Sequence, residues 1–140
     1  MINSNVTLDY LNKLNQGNMG EHLGIEATEI GSDYICARMP VDHRTKQPFG
    51  LLHGGASVVL AETLGSFAAS LSVDLEKYQC VGLEINANHI RSVRDGYVYG
   101  KATALHVGRQ TQVWEIRITN ESGQLVCVSR ITIAVLEKKQ

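Results

Sequence analysis

The chain lacks an excess of charge of either sign: 13 lysines and arginines stand against 14 aspartates and glutamates. That balance gives no long-range field to gather nucleic acid or an anionic membrane, so any anion site has to be local. An unbroken apolar run is also missing, because the longest one, around Ala56 to Leu71, is interrupted by Glu62, Thr63 and Ser66. A membrane-spanning helix is therefore not expected. The opening residues Met1-Ile2-Asn3-Ser4-Asn5 carry no basic stretch followed by an apolar one, so no secretory signal is expected either. Proline is scarce, at two residues. Cysteine is limited to Cys36, Cys80 and Cys127, an odd number, widely spaced and embedded in apolar segments. This excludes a disulfide framework and reads as reduced packing thiols in a cytoplasmic protein. No base or helix start adjoins any of the three, so none reads as a nucleophile.

What is present is enough apolar material for a core, at 44% of 140 residues, with 19% charged residues. Size and composition predict one globular domain over residues 1–140. Thr7 can cap a short helix through Leu14, on which Leu8, Leu11 and Leu14 share a face. Gly24 to Ile30 and Tyr34 to Pro40, flanking Gly31-Ser32-Asp33, read as a hairpin. After a loop from Val41 to Leu52, Gly54 to about Ser72 is free of proline and rich in small or helix-forming residues, which predicts one long helix. Four strands follow: Val81 to His89, Tyr97 to Val107, Gln110 to Thr119 and Leu125 to Leu136. Gly108-Arg109 and Asn120-Glu121-Ser122-Gly123 are turns that make the last three an antiparallel meander. In the third, Trp114, Ile116 and Ile118 alternate with Val113, Glu115 and Arg117, giving one buried face and one that is wet or shared with a partner. The fold class that satisfies this order is α+β, an antiparallel sheet curled around one central helix and covering most sides of it.

Within that helix Glu62 is conspicuous, because Val58, Val59, Leu60, Ala61 and Leu64 surround it and an ionised carboxylate is costly there unless paired or used. Either it reaches solvent or a salt bridge, or it is held for chemistry. Ser66 follows at i+4 on the same face, as a packing residue or as a group touching what Glu62 touches. His53-Gly54-Gly55 precedes the helix, where backbone N–H groups have no intrahelical acceptor and can serve as an oxyanion hole. Gln47 supplies an amide in the loop before it. His89, Arg91 and Arg94, with His106 and Arg109, form the one local concentration of donors suited to phosphate. His43, His53, His89 and His106 lack metal-ligand spacing, and neither a metal nor another cofactor is expected.

Gly54 and Glu62 are eight residues apart, roughly 12 Å along a helix axis at 1.5 Å per residue. One helix cannot bring both to a single carbonyl carbon. If both act in one reaction, the carboxylate must come from a two-fold related copy whose helix runs antiparallel.

Gln47-Pro48-Phe49-Gly50-Leu51-Leu52-His53-Gly54-Gly55-Ala56, then Ala61-Glu62-Thr63, then Val81 to His89 resemble the hotdog-fold acyl-CoA thioesterases. Within them the chain is similar to the branch of 1,4-dihydroxy-2-naphthoyl-CoA and enterobactin proofreading thioesterases, from about Thr7 to Val135. The resemblance implies Glu62 as nucleophile or general base, His53 and the Gly54 amide polarising the thioester carbonyl, and Gln47 and Ser66 positioning substrate or water. It also implies CoA contacts at Gly82, at His89, Ile90, Arg91 and Ser92, and at His106, Val107, Gly108, Arg109, Gln110 and Thr111. The order Gly108-Arg109-Gln110 departs from the Gly-Ser-Arg of some relatives. Aromatic acyl groups, a dimer of dimers and a role in menaquinone biosynthesis are implied as well. Competing readings are a hotdog hydratase, which would need Asp where this chain has Pro48, a non-catalytic acyl-CoA-binding module, and a thioesterase acting on acyl-carrier-protein thioesters.

Overall fold

The computed structural model describes residues 1–139. A short helix α1 (Leu8–Leu14) begins where Thr7 Oγ1 accepts the Tyr10 N–H at 3.1 Å. Of its three leucines only Leu11 is buried, while Leu8 and Leu14 are exposed; the helix docks by Leu11 and by Asn12, which exchanges two hydrogen bonds with the Ala27 backbone, and not by a leucine stripe. A four-residue helix, α2 (Met19–His22), follows and has no counterpart in the sequence reading. Strands β1 (Glu26–Ile30) and β2 (Tyr34–Pro40) form the expected hairpin, with a register shift between Ala27 and Glu29. The long helix α3 runs Gly54–Ser70, and β3 (Tyr78–His89), β4 (Tyr97–Val107), β5 (Thr111–Thr119) and β6 (Leu125–Glu137) complete the chain.

All strands join one antiparallel sheet in the order β1-β2-β4-β5-β6-β3. The meander β4-β5-β6 is as expected. Helix α3 is the crossover that carries the chain from β2 over the sheet to β3, which docks on the far side of β6. The inner face of the sheet buries Trp114, Ile116, Ile118, Ile131 and Ile133 against Leu60, Ala61, Leu64, Ala68 and Ala69 of α3. Burial of side chains this size removes roughly 1.5–3 kcal/mol each from the unfolded side of the balance. The Trp114 indole N–H stays satisfied there by donating to Gln112 Oε1 at 2.8 Å.

The sheet curls around α3 as expected; along the stripe it leaves open, Val58, Val59, Thr63, Ser66 and Ser70 are half-buried, with Glu62 exposed at its middle. A second uncovered feature is β3. It pairs with β6 alone, is twelve residues long, and leaves Val81 and Leu83 exposed, at 41% and 61%. A long, apolar, unprotected edge strand is a pairing surface. Cys127 is buried and Cys36 and Cys80 are partly so, and burial, with Glu29 alongside, pushes the Cys36 thiol up to about 11. Among the described residues no helix is long and apolar enough to cross a membrane.

Candidate active site

The loop from Val41 to Leu52 is folded tightly enough to aim the start of α3. Thr45 is buried and donates its hydroxyl to the Pro40 carbonyl at 2.7 Å, and its own carbonyl accepts the His53 N–H at 2.8 Å. Asp42 accepts three bonds from the Arg44 guanidinium, the shortest at 2.7 Å, and this holds its carboxyl down at about 2. From this base His53 caps the helix: its Nδ1 accepts the Gly55 N–H at 2.8 Å. A neutral imidazole whose Nδ1 accepts must carry its proton on Nε2, so the cap itself turns the other nitrogen into a donor.

Beside it the Gly54 N–H has no acceptor among the described residues. It lines a cleft of about 340 Å³ whose walls include Gln47, Ser57, His89, Arg91 and Ser92. A Cβ on Gly54 would lie 2.8 Å from His89 Nε2, so a side chain here would displace the His89 ring. The Gly54 amide thus lines a solvent-open cleft at the positive end of a 17-residue helix, and the His53 cap immediately precedes it. Gln47 is in the cleft wall, with its side-chain oxygen accepting the Phe49 N–H.

Glu62 is two turns further along α3 and is not part of that cleft. Its carboxylate enters no ion pair among the described residues and instead borders a small pocket with Gly82, Leu83, Glu84, Ile85 and Ile131. A Cβ on Gly82 would come within 3.2 Å of Glu62 Oε2. The glycine on β3 therefore makes space for the carboxylate. Ser66 shares the open stripe of α3 with Glu62.

The CoA-contact candidates divide between separate places. His89, Ile90, Arg91 and Ser92 are at the Gly54 cleft, and Gly82 is beside Glu62. His106, Gly108, Arg109, Gln110 and Thr111 line another cleft of about 740 Å³, with Tyr78, Val135, Leu136 and Glu137; Val107 is the exposed last residue of β4 beside them. Within one chain the oxyanion corner, the carboxylate and this second cleft do not meet. Tyr78 had no place in the sequence reading, because β3 was begun three residues late, at Val81; its position comes from pairing with Glu137 on β6, which no local pattern announces.

The thioesterase superfamily model matches residues 49–127, from the end of the loop through α3, β3, β4 and β5 to the start of β6. This chain belongs to the thioesterase superfamily. It has the hotdog fold, and it is an enzyme that cleaves thioesters. It is 56% identical over 131 residues to the 1,4-dihydroxy-2-naphthoyl-CoA hydrolase of Escherichia coli, covering 94% of this chain and 96% of that one. To a proofreading thioesterase of Cronobacter turicensis it is 54% identical over 132 residues, covering 94% and 95%. Among solved structures, a thioesterase from Haemophilus influenzae superposes with a TM-score of 0.93 at 52% identity, covering 97% of this chain and 94% of that one. A mutant thioesterase from Pseudomonas aeruginosa gives 0.96 at 48% identity, covering 98% and 99%.

Proposed function

We propose that this thioesterase hydrolyses acyl-CoA thioesters with aromatic acyl groups, at two equivalent sites formed between paired subunits. The observation that carries the reading is the Gly54 N–H, without an acceptor among the described residues, in the wall of the cleft that holds His89 and Arg91, next to the His53 cap. Such a corner binds the oxygen of a thioester carbonyl and stabilises it further as charge develops, typically by about 2.7–4 kcal/mol per donor. Glu62 of the partner subunit then acts on the carbonyl carbon. It either attacks to give a mixed anhydride, which water opens, or takes a proton from the attacking water. Both routes release CoA as the thiol and leave a carboxylic acid. Gln47 and Ser66 orient the acyl carbonyl and the water.

Two uncovered surfaces support the pairing. For Gly54 to meet Glu62 of an antiparallel helix, the two-fold axis has to pass near Val58, midway between them on the open stripe of α3. The exposed edge of β3 is available for antiparallel pairing with its own copy about the Leu83–Glu84 midpoint, which sets His89 beside Tyr78 of the partner subunit. That arrangement brings the Gly54–His89 cleft of one subunit towards the Tyr78–Arg109 cleft of the other, and the two together are proposed to take the pantetheine arm and the nucleotide. The aromatic preference follows the names of the two relatives above.

The test is release of free CoA, followed with a thiol reagent, from aromatic and aliphatic CoA thioesters. Aromatic esters are expected to turn over fastest. Saturable binding of the esters without thiol release would instead identify a binding module, and turnover only of carrier-protein thioesters would move the substrate class.

A further inference from the structure

The cleft at Tyr78 and Arg109 has a neighbour. It shares the walls Tyr78 and Glu137 with a further cleft of about 380 Å³ rimmed by Lys77, Lys138 and Lys139. The Tyr78↔Glu137 pair is the last one in the β3–β6 ladder, but the Lys138 N–H still donates to the Lys77 carbonyl at 2.8 Å one step beyond it. Lys77 and Lys138 therefore face each other across that backbone bond, one step beyond the ends of β3 and β6. Like charges in that relation destabilise a sheet unless an anion is placed between them.

The two ammonium groups are also gathered over one turn. Lys138 Nζ donates to the Leu75 carbonyl, and Lys77 Nζ is 3.7 Å from Asp74 Oδ2, while Asp74 Oδ1 is engaged by the Glu76 N–H at 3.0 Å. Glu76 and Glu137 border the same space. Arg109, Lys138 and Lys139 are in no salt bridge among the described residues. So four cations meet three carboxylates here, in a chain whose formal charge is −1.

We propose that Lys77 and Lys138 are the seat of a phosphate monoester, the ribose 3′-phosphate of the CoA nucleotide, and that this seat makes the enzyme distinguish CoA esters from thioesters on a bare phosphopantetheine arm. The inference rests on the acyl-CoA reading given above. It extends the substrate channel by one subsite, past Arg109, where a phosphate would make charge-assisted bonds to the two lysines.

The test compares one acyl group on CoA and on 3′-dephospho-CoA, with the wild type and with the double variant Lys77→Ala, Lys138→Ala. In the wild type KM is expected to be about tenfold lower for the CoA ester, the size of one charge-assisted contact of about 1.4 kcal/mol. In the variant that ratio falls to about one, and Lys77→Arg, Lys138→Arg restores it. Equal KM values in the wild type, or a ratio that survives the double variant, overturns the proposal. So does a variant defect confined to carrier-protein thioesters, which would make the lysines a protein-docking patch. If no thioester is hydrolysed, the functional reading fails but the seat is still measured, by calorimetric titration of the intact protein with adenosine 3′,5′-bisphosphate. Loss of that binding in the double variant upholds the seat, and absence of binding in the wild type sinks it.

Discussion

Glu62 is exposed, unpaired and borders Gly82, so its removal should cost activity and not stability. Glu62→Gln is expected to lower kcat by at least ~10²-fold, the low end for loss of general-base action, with an unchanged melting temperature. Turnover near the wild-type rate would remove the mechanism. His53 carries two duties, the helix cap through Nδ1 and the donor at Nε2. Asparagine is among the best capping residues but cannot present a second donor in the place of Nε2, so His53→Asn separates the duties. Its melting temperature should stay within a few degrees of the wild type while kcat falls about 10²–10³-fold. Equal losses of both would reduce His53 to a cap. Gly82→Ala crowds the Glu62 carboxylate with a methyl group 3.2 Å away and should lower kcat at nearly constant KM. The identity of these residues was legible because a lone carboxylate in an apolar helix and a His-Gly-Gly before it are visible as text. What was not legible is that Glu62 stands in the open: the helix has a bare side, and only the extent of the sheet decides which side that is.

Among the elements, the loop before α3 is held by a titratable latch. Arg44 keeps the Asp42 carboxyl at about 2, below its ordinary 3.8, so the stabilisation is complete above about pH 4 and is lost as pH falls through about 2. Asp42→Asn is expected to be less stable than the wild type at neutral pH, and urea titrations stepped downward from pH 5 should show the gap narrowing below about pH 4. A gap independent of pH would mean the latch is not ionic. The sequence located α3, β4 and both hairpin strands to within a residue or two, since each is written in local periodicity and turn chemistry. It missed α2, whose four residues have no repeat to detect, and it had no means of seating β3 beside β6, a partnership formed across some fifty residues of chain. The face of β5 followed correctly from Trp114, Ile116 and Ile118, because alternation alone assigns it.

At the scale of the molecule, the sharing of each site between two subunits has a direct test. Glu62→Gln and His53→Asn homodimers are each expected to be nearly inactive. Unfolded together in equal amounts and refolded, half of the dimers are mixed, and each of those holds one intact site of its two. Activity should return to about a quarter of the wild-type value. No recovery would mean that both residues serve the same chain's site, which their spacing along α3 forbids for a single carbonyl. The clefts at His89 and at Arg109, separate within one chain, are expected to fail together when Leu83 on the uncovered edge is changed to lysine, with sedimentation reporting monomers.

That bare twelve-residue edge has a further consequence for how the enzyme behaves when it is scarce. A catalyst assembled from halves obeys mass action: below its dissociation constant, rate grows with the square of concentration and specific activity sinks on dilution. A cell making few copies would then have almost no turnover, and a modest rise in synthesis would switch the activity on more than proportionately.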